Sequence, residues 1–243
     1  MTIAHWVVGE GPALLLVHAG VADARMWARQ VEELSQDHRV ITLDLRGYGE
    51  TPLEPGAQYS DAGDLLAVLD ELGVDTVEAV GASYGGYVVQ QAASRHPERF
   101  SRLVLLCAPA DEVEPTDDLR AVWAEENRLL DAGDIDGATE LTVRSFIGPE
   151  ASDDARALLW SMQKRAYELQ SAAGDGGSEE WPVEPEKISA PVRLVTGAHD
   201  FAWFGNCAAY LAERLPNAEL VELPWAGHLP TLERPAEALG LIR

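Results

Sequence analysis

The chain has 243 residues, 47% of them hydrophobic, enough to bury the core of one α/β domain. Its 18 lysines and arginines against 41 aspartates and glutamates leave a formal net charge of −23, a surface that repels nucleic acid and anionic membranes. Two cysteines, Cys107 and Cys207, make no disulfide framework; each reads as a small buried apolar residue, and a cytoplasmic location is expected.

The opening MTIAHWVVGEGP lacks a basic segment followed by an apolar one, so no secretory signal is expected. Residues 3–8 and 13–18 flank the turn Gly9-Glu10-Gly11-Pro12 and read as a hairpin. Residues 25–34 form a predicted helix with Met26, Trp27, Val31 and Leu34 on one side, followed by a strand at 39–43 and a polar loop at 44–59. Ser60 is placed to cap a helix that runs to Leu72 and ends at Gly73. A strand at 76–80, a helix at 85–95 and a strand at 102–107 follow. The pattern resumes with a strand at 191–196, a helix at 207–215, a strand at 219–223 and a short helix from Pro235. The longest apolar runs, 13–17 and 103–107, are strand-sized and too short to span a bilayer. Such alternation predicts an α/β fold with a mainly parallel sheet and helices on both faces.

Between these halves the rhythm breaks. Residues 111–185 hold helical stretches at 119–131, 136–146 and 154–169 but no convincing strand. The expectation is a helical cap inserted between two core strands of a single domain spanning 1–243, with a mobile glycine-rich loop at 174–178.

Gly81-Ala82-Ser83-Tyr84-Gly85 is the only G-x-S-x-G in the chain. An apolar strand runs into it and an apolar helix leaves it, the context of a sharp turn that lifts a serine hydroxyl clear of a sheet. Gly81, Gly85 and Gly86 supply the space such a turn needs. A hydroxyl is a poor nucleophile until a base takes its proton, so a histidine must lie nearby. On a strand–turn–helix scaffold of this kind the partners follow in the order serine, acid, histidine. Of six histidines only His96, His199 and His228 come after Ser83. His96 sits at a helix end, where capping is expected, and His228 lies in the loop after the last strand. The acid should close a strand before it. Asp200, the last aspartate, ends the strand-and-glycine run Leu194-Val195-Thr196-Gly197-Ala198-His199-Asp200 and is preferred, with Asp111 or Glu112 as rivals.

Together with Leu15-Leu16-Val17-His18-Ala19-Gly20, Asp44-Leu45-Arg46-Gly47-Tyr48-Gly49-Glu50-Thr51, Arg95-His96-Pro97-Glu98-Arg99 and Gly227-His228, these residues give the chain a resemblance to the α/β-hydrolase superfamily. It is most similar to the capped branch of enol-lactonases, small-molecule esterases and non-metal haloperoxidase-like enzymes. The resemblance implies an oxyanion hole of two backbone N–H groups. One belongs to Tyr84; the other aligns with Gly20, although His18-Ala19-Gly20 departs from the usual His-Gly and leaves Val21 as an alternative. It implies a small-molecule ester or lactone as substrate. A carbon–carbon bond hydrolase, a biosynthetic acyltransferase or cyclase on the same triad, and a non-catalytic ligand-binding protein are the alternatives. With no paired-histidine or cysteine cluster and no phosphate-binding glycine loop, neither metal nor organic cofactor is expected. One N-terminal strand found in many relatives has no counterpart. Val21, Trp123, Phe146, Trp160 and Leu229 are the expected pocket lining, with Met162, Tyr167 and Trp181 as further aromatic or apolar candidates, and Arg144, Lys164 and Arg165 as groups that would hold one carboxylate.

Overall fold

The computed structural model describes residues 3–173 and 177–243. Along the chain, β1 (His5–Val8) and β2 (Ala13–Val17) lead into a 3-10 turn at Ala24–Trp27 and α1 (Ala28–Leu34). Next come β3 (Arg39–Leu43), the two-residue β4 (Gln58–Tyr59), α2 (Asp61–Glu71), β5 (Val77–Ala82), α3 (Tyr84–Arg95) and β6 (Phe100–Leu106). Three helices follow, α4 (Asp117–Asp131), α5 (Ile135–Phe146) and α6 (Asp153–Ala173). The chain closes with β7 (Gly177–Ser178), β8 (Val192–Gly197), α7 (Ala202–Arg214), β9 (Ala218–Leu223), α8 (Pro230–Glu233) and α9 (Pro235–Ile242).

Apart from β4 and β7, the strands form one seven-stranded sheet in the order β1-β3-β2-β5-β6-β8-β9, parallel except where β1 meets β3. The expected mainly parallel α/β architecture is therefore found. The expected hairpin is not. Both edges of β2 are occupied, with Leu15 opposite Ile41 of β3 and Ala79 of β5, so β1 adds to the outer edge of β3, Trp6 opposite Thr42. The connecting turn makes this crossing with Gly9 and Gly11 at φ +83 and +119, and a side chain on Gly11 would run into the Asp37 carbonyl.

Alternation along the strands feeds two cores. Leu15 of β2 and Leu103 and Leu105 of β6 pack with Leu65 and Leu69 of α2, Val88 of α3 and Leu211 of α7 on one face. Leu14 and Leu16 with Val104 and Leu106 pack with Trp27, Leu34 and Ile242 on the other. Burial of each such leucine contributes about 2 kcal/mol, and runs that are apolar on both faces hold the strand register. Ser60 caps α2 as expected, its Oγ accepting the Gly63 N–H at 3.3 Å, and Gly73 ends the helix region at φ +65.

Of the loop expected at 174–178, residues 174–176 lie outside the described residues, while Gly177 and Ser178 pair in parallel with Gln58 and Tyr59. That small ladder joins two stretches read from sequence as strandless. No helix among the described residues is long and apolar enough to cross a membrane.

The chain moves outward from β2 to β3 and then returns past β2 to β5, so the strand order reverses between β2 and β5. In open sheets of this kind the crevice beyond the strand ends at such a reversal is where ligands bind. The loops after Val17 and Ala82 flank it.

Candidate active site

Ser83 follows β5 directly and has φ 48 and ψ −121, a conformation that side-chain-bearing residues rarely adopt. Its N–H donates to the Leu106 carbonyl at 2.7 Å, while its carbonyl accepts from Gly86 at 2.8 Å and Tyr87 at 3.1 Å, which locks the strained turn at both ends. The glycines around it are required by contact. A Cβ on Gly85 would collide with the Val17 and His18 carbonyls, and one on Gly86 would lie 2.7 Å from Ala108 Cβ. The start of α3 is thereby pressed onto the end of β2.

Asp200 follows β8 and His228 follows β9. His228 Nδ1 and Asp200 Oδ2 lie 2.7 Å apart, with both side chains buried at 1% and 2% exposure. The second carboxylate oxygen accepts the Phe201 N–H at 2.7 Å. An ionised carboxylate accepting at Nδ1 leaves Nε2 as the basic nitrogen. That atom is buried and has no hydrogen-bond partner among the described residues. The Phe204 and Phe146 rings, with centroids 4.1 and 5.1 Å from the imidazole, restrict its rotation. The rival acid Asp111 is engaged elsewhere, accepting the Tyr87 hydroxyl at 2.6 Å.

Gly20, after β2, faces Tyr84: a Cβ built on Gly20 would lie 3.2 Å from Tyr84 Cβ. The two residues expected to supply the oxyanion donors are thus brought side by side. His18 fixes the Gly20 loop. Its Nε2 accepts the Leu45 N–H at 3.0 Å, so Nδ1 carries the proton and donates it to the Ala19 carbonyl at 2.8 Å. Burial lowers the pKa of this ring, which keeps it neutral and able to play both parts. Its role has no local sequence signal beyond a histidine at a strand end.

Cys107, read from the sequence as a small buried apolar residue, is buried and follows β6 with φ 48. Its Sγ lies 3.9 Å from the Gly227 carbonyl, and ligand-type atoms of Cys107, Asp200 and His228 are all within 4.8 Å of one another. Burial and the adjacent Asp200 push the thiol pKa up. The group has metal-ligand residue types, but its imidazole and carboxylate are already joined to each other and its sulfur stays protonated.

Of the expected pocket residues, Phe146 touches the imidazole and Leu229, beside His228, is fully buried. Val21 is half-buried between the two cores. Trp123 instead packs edge-on against Trp203 at 5.7 Å, and Trp160 lies beneath Lys164 Nζ at 4.9 Å. Met162 is buried, and the Tyr167 hydroxyl bonds Thr142 and Glu126. Trp181 stacks on Arg95, at the opposite end of α3 from Ser83. Lys164 is paired with Asp136, and Arg165 reaches the Gly49 carbonyl at 3.5 Å.

A cavity of about 310 Å³ opens beside Tyr84, lined by Arg46, Tyr48, Leu53, Tyr59, Asp61, Tyr84 and Gln170. It draws mainly on the loop read from sequence only as a polar connection. The Tyr84 hydroxyl donates to Asp61 Oδ2 at 2.7 Å, and burial pushes the Asp61 carboxyl up to about 6. Burial and that same carboxylate push the Tyr84 phenol well above its ordinary value.

Against this geometry stand the comparisons with known proteins. The chain is 30% identical over 237 residues to a pimeloyl-[acyl-carrier protein] methyl ester esterase of Chromobacterium violaceum, covering 93% of this chain and 90% of that one. It is 36% identical over 253 residues to a 2-hydroxymuconate semialdehyde hydrolase of Pseudomonas sp. CF600, covering 96% and 86%. Among solved structures, the enol-lactonase of Burkholderia xenovorans LB400 superposes with a TM-score of 0.80 at 23% identity, over 99% of this chain and 94% of that one, a likeness of fold. The family profile for the alpha/beta hydrolase fold matches residues 12–235. Its sheet, its strained serine turn and this match establish that the chain belongs to the α/β-hydrolase family.

Proposed function

We propose that the chain is a serine hydrolase that cleaves a neutral or weakly polar small-molecule ester or lactone through an acyl-enzyme. The observation that carries this reading is the buried Asp200–His228 pair with Nε2 left open, on the same sheet edge as Ser83. Ser83 Oγ attacks the carbonyl carbon while His228 Nε2 takes its proton, and Asp200 stabilises the imidazolium. The carbonyl electron pair moves onto oxygen, where the N–H groups of Tyr84 and Gly20, with Val21 as alternative to Gly20, hold it. One such donor is worth about 3 kcal/mol in the transition state. His228 returns the proton to the leaving oxygen, and water then repeats the sequence on the acyl-enzyme to release the acid.

The methyl ester esterase relative supports ester cleavage. The helices α4 to α6 serve as the cap, with α5 bringing Phe146 against the imidazole. The charge of −23 and the Asp61 carboxyl near Tyr84 favour neutral substrates over polyanions. A second reading, hydrolysis of a carbon–carbon bond by the same three residues, is favoured by the 36% identical relative, whose named substrate is a semialdehyde.

The test is a fluorophosphonate probe together with Ser83→Ala. The wild-type protein is expected to carry the adduct on Ser83, and the variant to lose turnover of an activated short-chain ester by about a thousandfold or more with its circular dichroism unchanged. Full activity in Ser83→Ala refutes the assignment.

A further inference from the structure

Three consecutive backbone N–H groups of the loop that carries His228 are all held. The Gly227 N–H donates to Glu233 Oε2 at 2.8 Å and the Leu229 N–H to Glu233 Oε1 at 3.0 Å. Between them, the His228 N–H donates to the Phe146 carbonyl at 3.2 Å. Glu233 ends α8 and is 5% exposed. One carboxylate, taken out of water, therefore grips the backbone on both sides of the imidazole.

A helix cap alone does not account for this. Accepting the N–H of Leu229, the residue before α8, satisfies one donor at the start of that helix. The other oxygen goes past the helix start to Gly227, on the far side of His228, where no helix needs capping. The space for it is set from the opposite wall: a Cβ on Gly148 would collide with the Glu233 carboxylate and lie 2.5 Å from the Gly227 nitrogen. Gly227 is further held through its carbonyl, 3.9 Å from Cys107 Sγ. Hydrogen bonds to an ionised acceptor are shorter and stronger than neutral ones, and two from one side chain fix orientation as well as distance.

We propose that Glu233 is a positioning residue for the reaction: its carboxylate straps the loop at Gly227 and Leu229 so that the His228 imidazole stays between Asp200 and Ser83. This rests on the assignment of His228 as the base. Glu233 lies under the imidazole loop and is not among the residues that line the cavity beside Tyr84, so the loss is expected on kcat and not on KM.

The experiment compares wild type with Glu233→Gln and Glu233→Asp. Glutamine keeps the size but turns one acceptor into a donor facing a backbone N–H; aspartate keeps the charge but is too short to reach both. For Glu233→Gln, kcat on an activated ester is expected to fall about 10- to 100-fold with KM little changed. Fluorophosphonate labelling of Ser83 should slow in parallel. The wild type is expected to show a far-downfield proton resonance from the His228–Asp200 hydrogen bond, and in the variant it should broaden or vanish. Glu233→Asp should fall between the two, and it carries the same readouts if the glutamine variant does not fold. Wild-type kcat per titrated active site together with an unaltered downfield resonance, in either folded variant, overturns the proposal and reduces Glu233 to a helix cap. If Ser83→Ala retains full turnover the hydrolase reading fails separately, while the resonance still reports whether Glu233 orders the imidazole.

Discussion

The sheet and the inserted helices are built by different rules. Strands β2, β5 and β6 are buried on both faces and pack through aliphatic side chains, so each position is fixed by shape. Helix α4 buries only Leu119 and exposes acidic side chains, and its links to neighbours include polar ones such as Glu126 to Tyr167. Ser83, Asp200 and His228 all sit on loops rooted in the first region. The second contributes Phe146 to the imidazole and Gln170 to the cavity. The proposed reacting groups are thus rooted in the closely packed sheet, while the inserted helices make more of their contacts through polar side chains.

Substitutions sharpen this contrast, and the largest effect belongs to the sheet edge. Asp200→Asn is expected to lower kcat by about 10⁴-fold with the fold intact, because the amide no longer holds the proton on Nδ1; steady-state kinetics on an activated ester measures it. Leu103→Ala in β6, at a fully buried position, should destabilise the protein by about 2–5 kcal/mol in urea unfolding. Leu130→Ala in α4, at a half-buried position, should cost about 1 kcal/mol or less. Equal costs at the two sites would break the comparison.

A pH-dependent effect lies at Asp61, which lines the cavity together with Gln170 of α6. Asp61 holds its proton up to about pH 6 in the folded chain, against an ordinary value of 3.8. The folded state therefore binds the extra proton between these values. Stability declines as pH rises through that window and the deficit persists above it. Asp61→Asn keeps an acceptor for Tyr84 and removes the buried charge. It should gain on the order of 1–3 kcal/mol relative to wild type at pH 7, and no advantage at pH 3.5, as read by denaturant midpoints at the two pH values.

What the sequence discloses follows from how local each signal is. The doubly buried strands β2 and β6 were legible as unbroken apolar runs, and the serine turn as glycines around Ser83 between a strand and a helix. Asp200 and His228 stood out because each follows a strand and a glycine, and the structure joins them at 2.7 Å. The partner of β1 was not legible, since which strand edge is free depends on the whole sheet. Nor were Cys107, which meets Gly227 across 120 residues, and Asp61, which meets Tyr84 across 23. Each is an ordinary residue in its own segment and acquires a part only through distant contact. The neighbours of Trp123 and Trp160 were not legible for a related reason: an aromatic on a helix face packs on whatever the fold brings to it, here Trp203 and Lys164.

The strands that bracket α4 to α6 are hydrogen-bonded neighbours, Leu103 opposite Val192 and Leu106 opposite Val195. The intervening segment leaves and re-enters at adjacent points, like a detour between two doors on one wall. Replacing that segment therefore requires no rethreading of the sheet. One tether crosses that boundary and limits the freedom: whatever replaces α5 must still offer a carbonyl where Phe146 meets the His228 N–H.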